Sequence, residues 1–325
     1  MSTTDNKKVL LIGATGFIGH EAAIILRQQN FIVYGLARST EKAQLLLKDE
    51  IIPILHTTSD MNYLDSIVTL NITHVIDLSG TPTSTPQIAQ KLVAIKTSTG
   101  YQVGFIYISG AWVHGNDNVN TVDEHHFAKD GQVKPLVSWR PALEQQLLSY
   151  KDDLPTIIVR PGLLYGKNSP ILAVFFSQVV QAVIKNDSTD INLPINKDLV
   201  TSWIHVTDLG RFLTKVIQKF ELYNSSTFDL PIFDVTHESF SAPEFVTQSA
   251  KDLGFKGNIN FLGEPTAEEN IFLNGFNTSI IVNNKRARAL LDWEPTLDLK
   301  HHTDFYIKPW AAANNKEYIE YYLAQ

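Results

Sequence analysis

The 325-residue sequence contains no cysteine. That absence excludes disulfides, thiol nucleophiles and cysteine-based zinc sites. Long apolar runs are missing as well. The strongest candidate, ILAVFFSQVVQAVI, is broken by Ser177, Gln178 and Gln181 and is too short to span a bilayer. There is no basic surplus either: the formal net charge is -7. Non-specific nucleic-acid binding needs phosphate-neutralising basic patches, so no nucleic-acid partner is expected. Nor does the charge favour an anionic membrane surface. The opening MSTTDNKKVLLIG has neither the apolar core nor the small-residue cleavage site of a secretory leader. A cytoplasmic protein is expected. The sequons at Asn71, Asn224 and Asn277 are of a kind common by chance. His125–His126 and His301–His302 show no metal-ligand pattern with nearby acids, so no metal is expected.

What is present suits a globular chain. Hydrophobic residues make up 44% and charged residues 19%, enough to bury a core and remain soluble. KKVLLIG, FIVYGLARS, THVIDLSG, GFIYISGAWV and LPTIIVRPGLLYG read as strands. Between them, FIGHEAAIILRQQ, STPQIAQKLVAIKTST and ALEQQLLSY read as helices. Such alternation predicts a doubly wound parallel sheet with a smaller C-terminal substrate lobe. The expected division is a dinucleotide-binding domain over 1–166, with 200–235 returning to it. The lobe would take 167–199 and 236–325. KNDSTDINLPINKD reads as irregular, SAPEFVTQSAKDLGF as a helix ending at Gly254, and NKRARALLDWEP as a helix stopped by Pro295.

The glycine turn IGATGFIG follows a strand and opens a helix. Gly13 and Gly16 suit a tight turn that lets backbone approach a pyrophosphate, and Gly19 suits close helix–strand packing. The helix start offers free N–H groups and partial positive charge to phosphates. The second strand ends in Arg38 and Ser39, not in the acid that would hold a ribose 2′-hydroxyl. An arginine there would attract a 2′-phosphate, favouring NADP over NAD.

Six collinear segments carry a resemblance: GATGFIG, HVIDLSG, YISGAWVHG, IIVRPGLLYG, TSWIHVTDLGRFL and NNKRARALLDWEP. Together they resemble the short-chain dehydrogenase/reductase superfamily in its extended, epimerase/dehydratase-like branch. The resemblance implies a Rossmann fold and a cofactor site formed by Gly13, Thr15, Gly16, Phe17, Ile18, Gly19, Arg38, Ser39, Leu78, Ser79, Gly80, Arg140 and Pro161. It also implies a small-molecule substrate, of sugar-nucleotide type in many relatives, and a possible homodimer.

The sequence departs from that family at its chemical centre. Working relatives use a tyrosine as acid/base and a lysine four residues later to lower its pKa and hold the ribose. KPLVSWRPALEQQLLSY has neither. Aligned through Glu144, Arg140 stands at the lysine and Leu136 at the tyrosine. Aligned on the aromatic residue, Trp139 replaces the tyrosine and Leu143 the lysine. None of the eleven tyrosines precedes a lysine by four residues. Gly110 occupies the usual catalytic-serine position, with Ser109 one residue earlier. This matches atypical subgroups that keep the glycine turn and lose much of the site.

Four residues remain catalytic candidates: Ser109, His114, Arg140 and Tyr165. Arg140 can hold ribose hydroxyls but is too basic to give up a proton. His114 titrates near neutrality in its free form, so it is either an acid/base or a packing residue. Tyr165 is either a proton donor or structural. Asp123 and Glu124 read as a solvated loop face, and Asp208 as a helix cap. Two functions follow. One is an oxidoreductase or epimerase/dehydratase-like protein with a rebuilt site, acting on a small carbonyl, hydroxyl or sugar-type substrate. The other is a catalytically degenerate cofactor-binding regulator.

Overall fold

A computed structural model describes residues 7–56, 59–128 and 131–323. Residues 1–6, on which the reading of the N-terminus partly rests, lie outside that range.

The strands are β1 (Lys8–Ile12), β2 (Ile32–Ala37), β3 (Ile52–Leu55), β4 (His74–Asp77), β5 (Gly104–Ile108), β6 (Asp117–Val122) and β7 (Thr156–Pro161). They continue with β8 (Leu163–Tyr165), β9 (Ile191–Leu193), β10 (Val200–His205), β11 (Ile232–Val235), β12 (Glu238–Ser241), β13 (Ile259–Phe261) and β14 (Ile280–Val282). Seven of them form one sheet in the order β11-β7-β5-β4-β1-β2-β3. Every pairing in it is parallel. β4 and β5 are buried along their whole length, as strands are in a parallel sheet covered on both faces. The fold is therefore a Rossmann-type α/β sheet.

Helices α1 (Phe17–Gln28), α2 (Thr40–Lys48), α3 (Ser66–Leu70), α4 (Ser84–Thr99), α5 (Arg140–Ser149), α6 (Pro170–Ile184) and α7 (Val206–Gln218) supply the layers. One core joins α1, α2 and α7 to the sheet through Ala22, Leu26, Leu46, Phe212 and Val216. The opposite core joins α3, α4 and α5 through Ile67, Ile88, Leu92, Leu143 and Leu147. α4 stops at Gly100, whose φ of 75° closes the helix in the left-handed conformation.

The later chain builds smaller sheets, β12-β10-β8, β13-β9 and β14-β6. α6 presents Leu172, Phe175, Phe176, Val179, Val180 and Val183 on one buried stripe. They meet Trp203, Phe240, Phe245, Phe276 and Trp310 in an aromatic core, with Trp203 stacked on Phe240 at 5.9 Å. The segment read as irregular holds β9, where Ile191 and Leu193 are buried and Asn192 is exposed. Its partner β13 lies 68 residues away, so a three-residue alternation was too short to announce it. β10 joins the three-stranded sheet, whereas β11 joins the large one. No helix among the described residues is long and apolar enough to cross a membrane. Asn224 and Asn277 are each 2% exposed, with side-chain amides bonded to backbone carbonyls, which removes two of the three sequons from the surface.

The strand order reverses between β1 and β4, the position where doubly wound sheets form their ligand crevice. The glycine turn leaves β1 and residues 78–80 leave β4 on its two sides. α1 sits so close to the turn that a Cβ at Gly19 would overlap the Gly13 carbonyl oxygen and lie 2.7 Å from its carbon. Gly19→Ala should therefore cost about 3 kcal/mol, the upper end of overpacking costs, because the obstacle is backbone. Urea denaturation of the variant beside the parent checks this, and equal midpoints would disprove the tight fit.

Candidate active site

The crevice starts from the glycine turn. Gly13 takes φ 91°, and a Cβ there would press within 3.3 Å of the Leu78 carbonyl carbon. The turn closes with the Gly16 N–H donating to Gly13 O at 2.9 Å. Gly16 is the N-cap of α1, and no side chain occupies the cap. The first-turn N–H groups are thus left for an anion. Thr15 is half-buried, while Phe17 and Ile18 pack onto the α1 face of the core. Across the crevice, the Ser79 N–H and hydroxyl donate to buried Asp77, at 2.9 and 2.5 Å, which fixes the 78–80 loop. Thr85 donates to the other Asp77 oxygen at 2.6 Å. Gly80 follows with φ 53°. These features fit a dinucleotide: a cradle without side chains and an uncapped helix start.

Arg38 stands exposed just after β2. Ser39 caps α2, accepting the Lys42 N–H at 3.3 Å. Its backbone turn thereby fixes the direction in which Arg38 leaves the sheet.

At the ends of β5 and β7 lies a chamber of about 140 Å³. Ser109, Arg140 and Pro161, from three distant segments, all line it. Its apolar walls include Trp112, Leu163, Ile171 and Ile280, and Ser202 adds a hydroxyl. Arg140 opens α5 and lies against Gly110, while Leu143 is buried in the core. Arg140, not Leu143, is thus the residue that reaches the site. Leu136 packs its side chain over Gly275 of the helix Ala267–Phe276, so the tyrosine position of the Glu144 register is a packing contact. Trp139 donates its indole N–H to Leu136 O at 3.2 Å.

Glu144 is the electrostatic centre beneath the chamber. It accepts the Ser109 hydroxyl at 2.5 Å and pairs with Arg160 at 2.5 Å, all three being buried. Arg140 Nε is buried without a protein partner. Burial lowers the Arg140 pKa from its ordinary value, opposed by Tyr107 and Glu144, but a guanidinium stays charged at neutral pH. The Tyr107 hydroxyl is also buried and unpartnered. Burial pushes its pKa up, with Arg140 pulling the other way.

His114 and Tyr165 do not line this chamber. His114 is buried with Nε2 2.9 Å from both Asp234 oxygens and Nδ1 3.1 Å from His126 O. Both ring nitrogens are engaged. Tyr165 is fully buried, donates to Leu297 O, and has its pKa driven up by burial. The expectation of a solvated Glu124 is corrected: it is 1% exposed and accepts the Asp234 N–H at 2.9 Å, locking the loop to β11. Asp123 remains half-buried and organises the turn at His125. Asp208 is not the cap of α7; His205 is. Asp208 is buried and accepts the N–H groups of Thr296 and Leu297 at 2.9 Å each. No cluster of metal-binding side chains occurs among the described residues.

Sequence reading missed Trp112, Ser202 and Tyr107. Only Tyr107 left a signal: it stands two residues before Ser109, the spacing that puts strand residues on one face.

The fold and crevice define a dinucleotide-binding protein of the extended short-chain dehydrogenase type. Residues 9–228 match the family model "NAD dependent epimerase/dehydratase family", and the chain belongs to that family. Its function is thus epimerase/dehydratase-like, resting on a nicotinamide dinucleotide. Among solved structures it resembles dTDP-glucose 4,6-dehydratase from Bacillus anthracis in complex with NAD, at 15% identity and a TM-score of 0.73. That match covers 96% of this chain and 98% of the other. UDP-glucose 4-epimerase from Bifidobacterium longum, in complex with NAD+ and UDP, matches at 16% identity and a TM-score of 0.71, over 95% and 99% of the two chains. UDP-glucose 4-epimerase from Thermotoga maritima, with UDP-glucose, matches at 14% identity and 0.72, over 95% and 100%. Among curated proteins, no relative matches the sequence.

The buried loop lock has a pH signature. Burial, with the Asp234 carboxylate adding to it, raises the Glu124 pKa to about 7 from an ordinary 4.5. The native chain keeps this proton where the unfolded chain has lost it. Its contribution to stability is therefore full below about pH 4.5 and is lost as pH rises through about 7. Glu124→Gln keeps the accepting oxygen, so at pH 8 it should be more stable than the parent by roughly 1–3 kcal/mol, and at pH 5 by little. Urea melts at both values decide; a difference independent of pH would remove Glu124 from the account. Burial raises Glu238 similarly, to about 7, so the variant should keep part of the slope.

Proposed function

We propose that this chain is an NADP(H)-preferring oxidoreductase or epimerase/dehydratase-like enzyme whose site works through Arg140 and Ser109 without a tyrosine–lysine pair. The observation that carries the reading is convergence. The uncapped α1 start, the Asp77-braced loop and the Ser109–Arg140 chamber stand at the C-terminal ends of β1, β4, β5 and β7 of one parallel sheet. When bound, the dinucleotide would supply a hydride donor or acceptor. Gly13, Thr15, Gly16, Phe17, Ile18 and Gly19 would hold its pyrophosphate side, and Leu78, Ser79 and Gly80 would wall the crevice. Pro161 and Arg140 would bound its nicotinamide side. Arg140 would stabilise negative charge on a substrate oxygen by direct hydrogen bonding. Ser109, its own proton committed to Glu144, would accept from a substrate hydroxyl. Neither His114 nor Tyr165 enters this scheme as a donor, because each is committed elsewhere; the proton would come from water.

The preference for NADP(H) rests on Arg38, exposed at the end of β2 and carrying no hydrogen bond or ion pair among the described residues. Ser39 would assist from the α2 N-terminus. We further read 1–166 with 200–235 as the cofactor domain and the rest as the substrate lobe, in a cytoplasmic protein that pairs as a homodimer.

A second reading has its own support: of the four candidates, His114 and Tyr165 are locked into buried contacts. A regulator would bind NADPH without consuming it. Titration with NADPH and NADH, followed by fluorescence and thermal shift, tests both readings, since a ligand of the native state raises apparent stability by mass action. NADPH should bind tighter than NADH, and Arg38→Ala should cost NADPH about tenfold, the loss of one charge-assisted contact, while leaving NADH unchanged. Equal affinities would refute the NADP preference, and binding without turnover on a carbonyl panel would favour the regulator.

A further inference from the structure

The side chains around the chamber specify what it can receive, given the reading above that a nicotinamide dinucleotide binds beside it. Ser202 has nothing left to offer. Its Oγ donates to Ile280 O at 3.0 Å, accepts the Val282 N–H at 3.0 Å and lies 2.7 Å from Ser239 Oγ. Ser109 has given its proton to Glu144 and can only accept. Arg140 is the one cation among the described lining residues, and its Nη1 lies against Gly110 in the chamber wall. The other lining side chains, Leu163, Leu164, Ile171 and Ile280 among them, are apolar, and Trp112 adds one indole N–H.

This inventory matches a single oxygen on an apolar body. As a carbonyl, that oxygen accepts from Arg140. As a hydroxyl, it also donates to Ser109. The volume, about 140 Å³, sets the size. A closed apolar cavity of about 150 Å³ holds benzene, so the part of a ligand seated in this open-mouthed chamber is of single-ring size. A hexose placed here would set most of its hydroxyls against carbon, at roughly 1–3 kcal/mol for each one left unpaired. A nucleoside diphosphate would find no second cation. We propose that the chamber takes the oxygen-bearing end of a small apolar ketone, aldehyde or secondary alcohol, and not the sugar of a sugar nucleotide.

The test loads the full chain with NADP+ at saturation, confirmed by thermal shift, and titrates cyclohexanone, cyclohexanol and UDP-glucose. Trp112, in the chamber wall, reports occupancy through its fluorescence, with Trp112→Phe as the blank. Cyclohexanone and cyclohexanol should saturate, and UDP-glucose should leave both signals unmoved. Arg140→Leu should weaken the cyclohexanone response about tenfold. Ile171→Trp, which fills the chamber without removing a charge, should abolish the response while NADP+ still binds. Saturation by UDP-glucose instead would overturn the proposal, as would the silence of all three probes. Displacement of NADP+ by cyclohexanone would overturn it too, since the chamber would then be the seat of the nicotinamide. Absence of any NADP+ or NADPH binding is a separate result that removes the underlying functional reading.

Discussion

The carboxylate of Glu144 joins the three elements that build the site. It sits in α5, receives the hydroxyl of Ser109 past the end of β5, and pairs with Arg160 in β7. A carboxylate so deeply buried survives only if its oxygens are occupied and its charge is matched. Arg160 supplies the match and Ser109 a further hydrogen bond. Removing Arg160 leaves an uncompensated charge under the chamber, and removing Ser109 an unmet hydrogen bond, which is why the ends of two strands and the start of a helix keep one relative position. The same commitment explains why Arg140 is different. Glu144 belongs to Arg160, so half-buried Arg140, one helical turn earlier, has its Nε shut in without a partner and no carboxylate of its own. Its Nη1 lies against Gly110, so the charge stands in the chamber wall.

Replacing the tyrosine–lysine pair therefore did not leave a hole. At the tyrosine position, Leu136 fastens the turn before α5 to the helix Ala267–Phe276. At the lysine position, Arg140 preserves the positive charge and its downward pull on a neighbouring hydroxyl's pKa, but is too basic to give up a proton itself. Apolar packing across the two parts of the chain has taken over from proton chemistry at this point. Such an exchange is stable in its own right, because a buried hydroxyl without a partner costs more than a leucine that fills the same volume.

Much of the fold was legible because parallel sheets write themselves locally. Continuous apolar runs such as VLLI and FIYI need no distant partner to be recognised, and the glycines of the first turn carry their reason within seven residues. What stayed hidden depends on partners far along the chain. Glu124 looked like a solvated loop acid because its neighbours are polar, but the backbone N–H it accepts belongs to Asp234, 110 residues on. Asp208 had the position of a capping residue, yet its bonds run to Thr296 and Leu297. His114 stood as an acid/base candidate, and nothing near it in sequence announced Asp234. The chamber itself draws Trp112, Ile171, Ser202 and Ile280 from four separate segments. Each is an ordinary apolar or hydroxylic residue whose meaning comes only from convergence.

The arrangement of charge around the chamber limits how any chemistry there can proceed. Arg160 is neutralised by Glu144, and the ring nitrogens of His114 are engaged by Asp234 and His126, so Arg140 is the cation among the described lining residues that is left to act on a ligand. An arginine in an apolar setting stabilises an oxygen bearing negative charge more strongly than the same oxygen uncharged, because little solvent competes for it. That differential is what lowers a barrier, whereas equal binding of both states would not. The Tyr107 hydroxyl, unpartnered two residues before Ser109, has its pKa raised by burial and opposed by Arg140. It is a poor proton source in that setting. A site with a fixed cation and no exchangeable proton of its own favours reactions whose charge builds on one oxygen and is discharged by water.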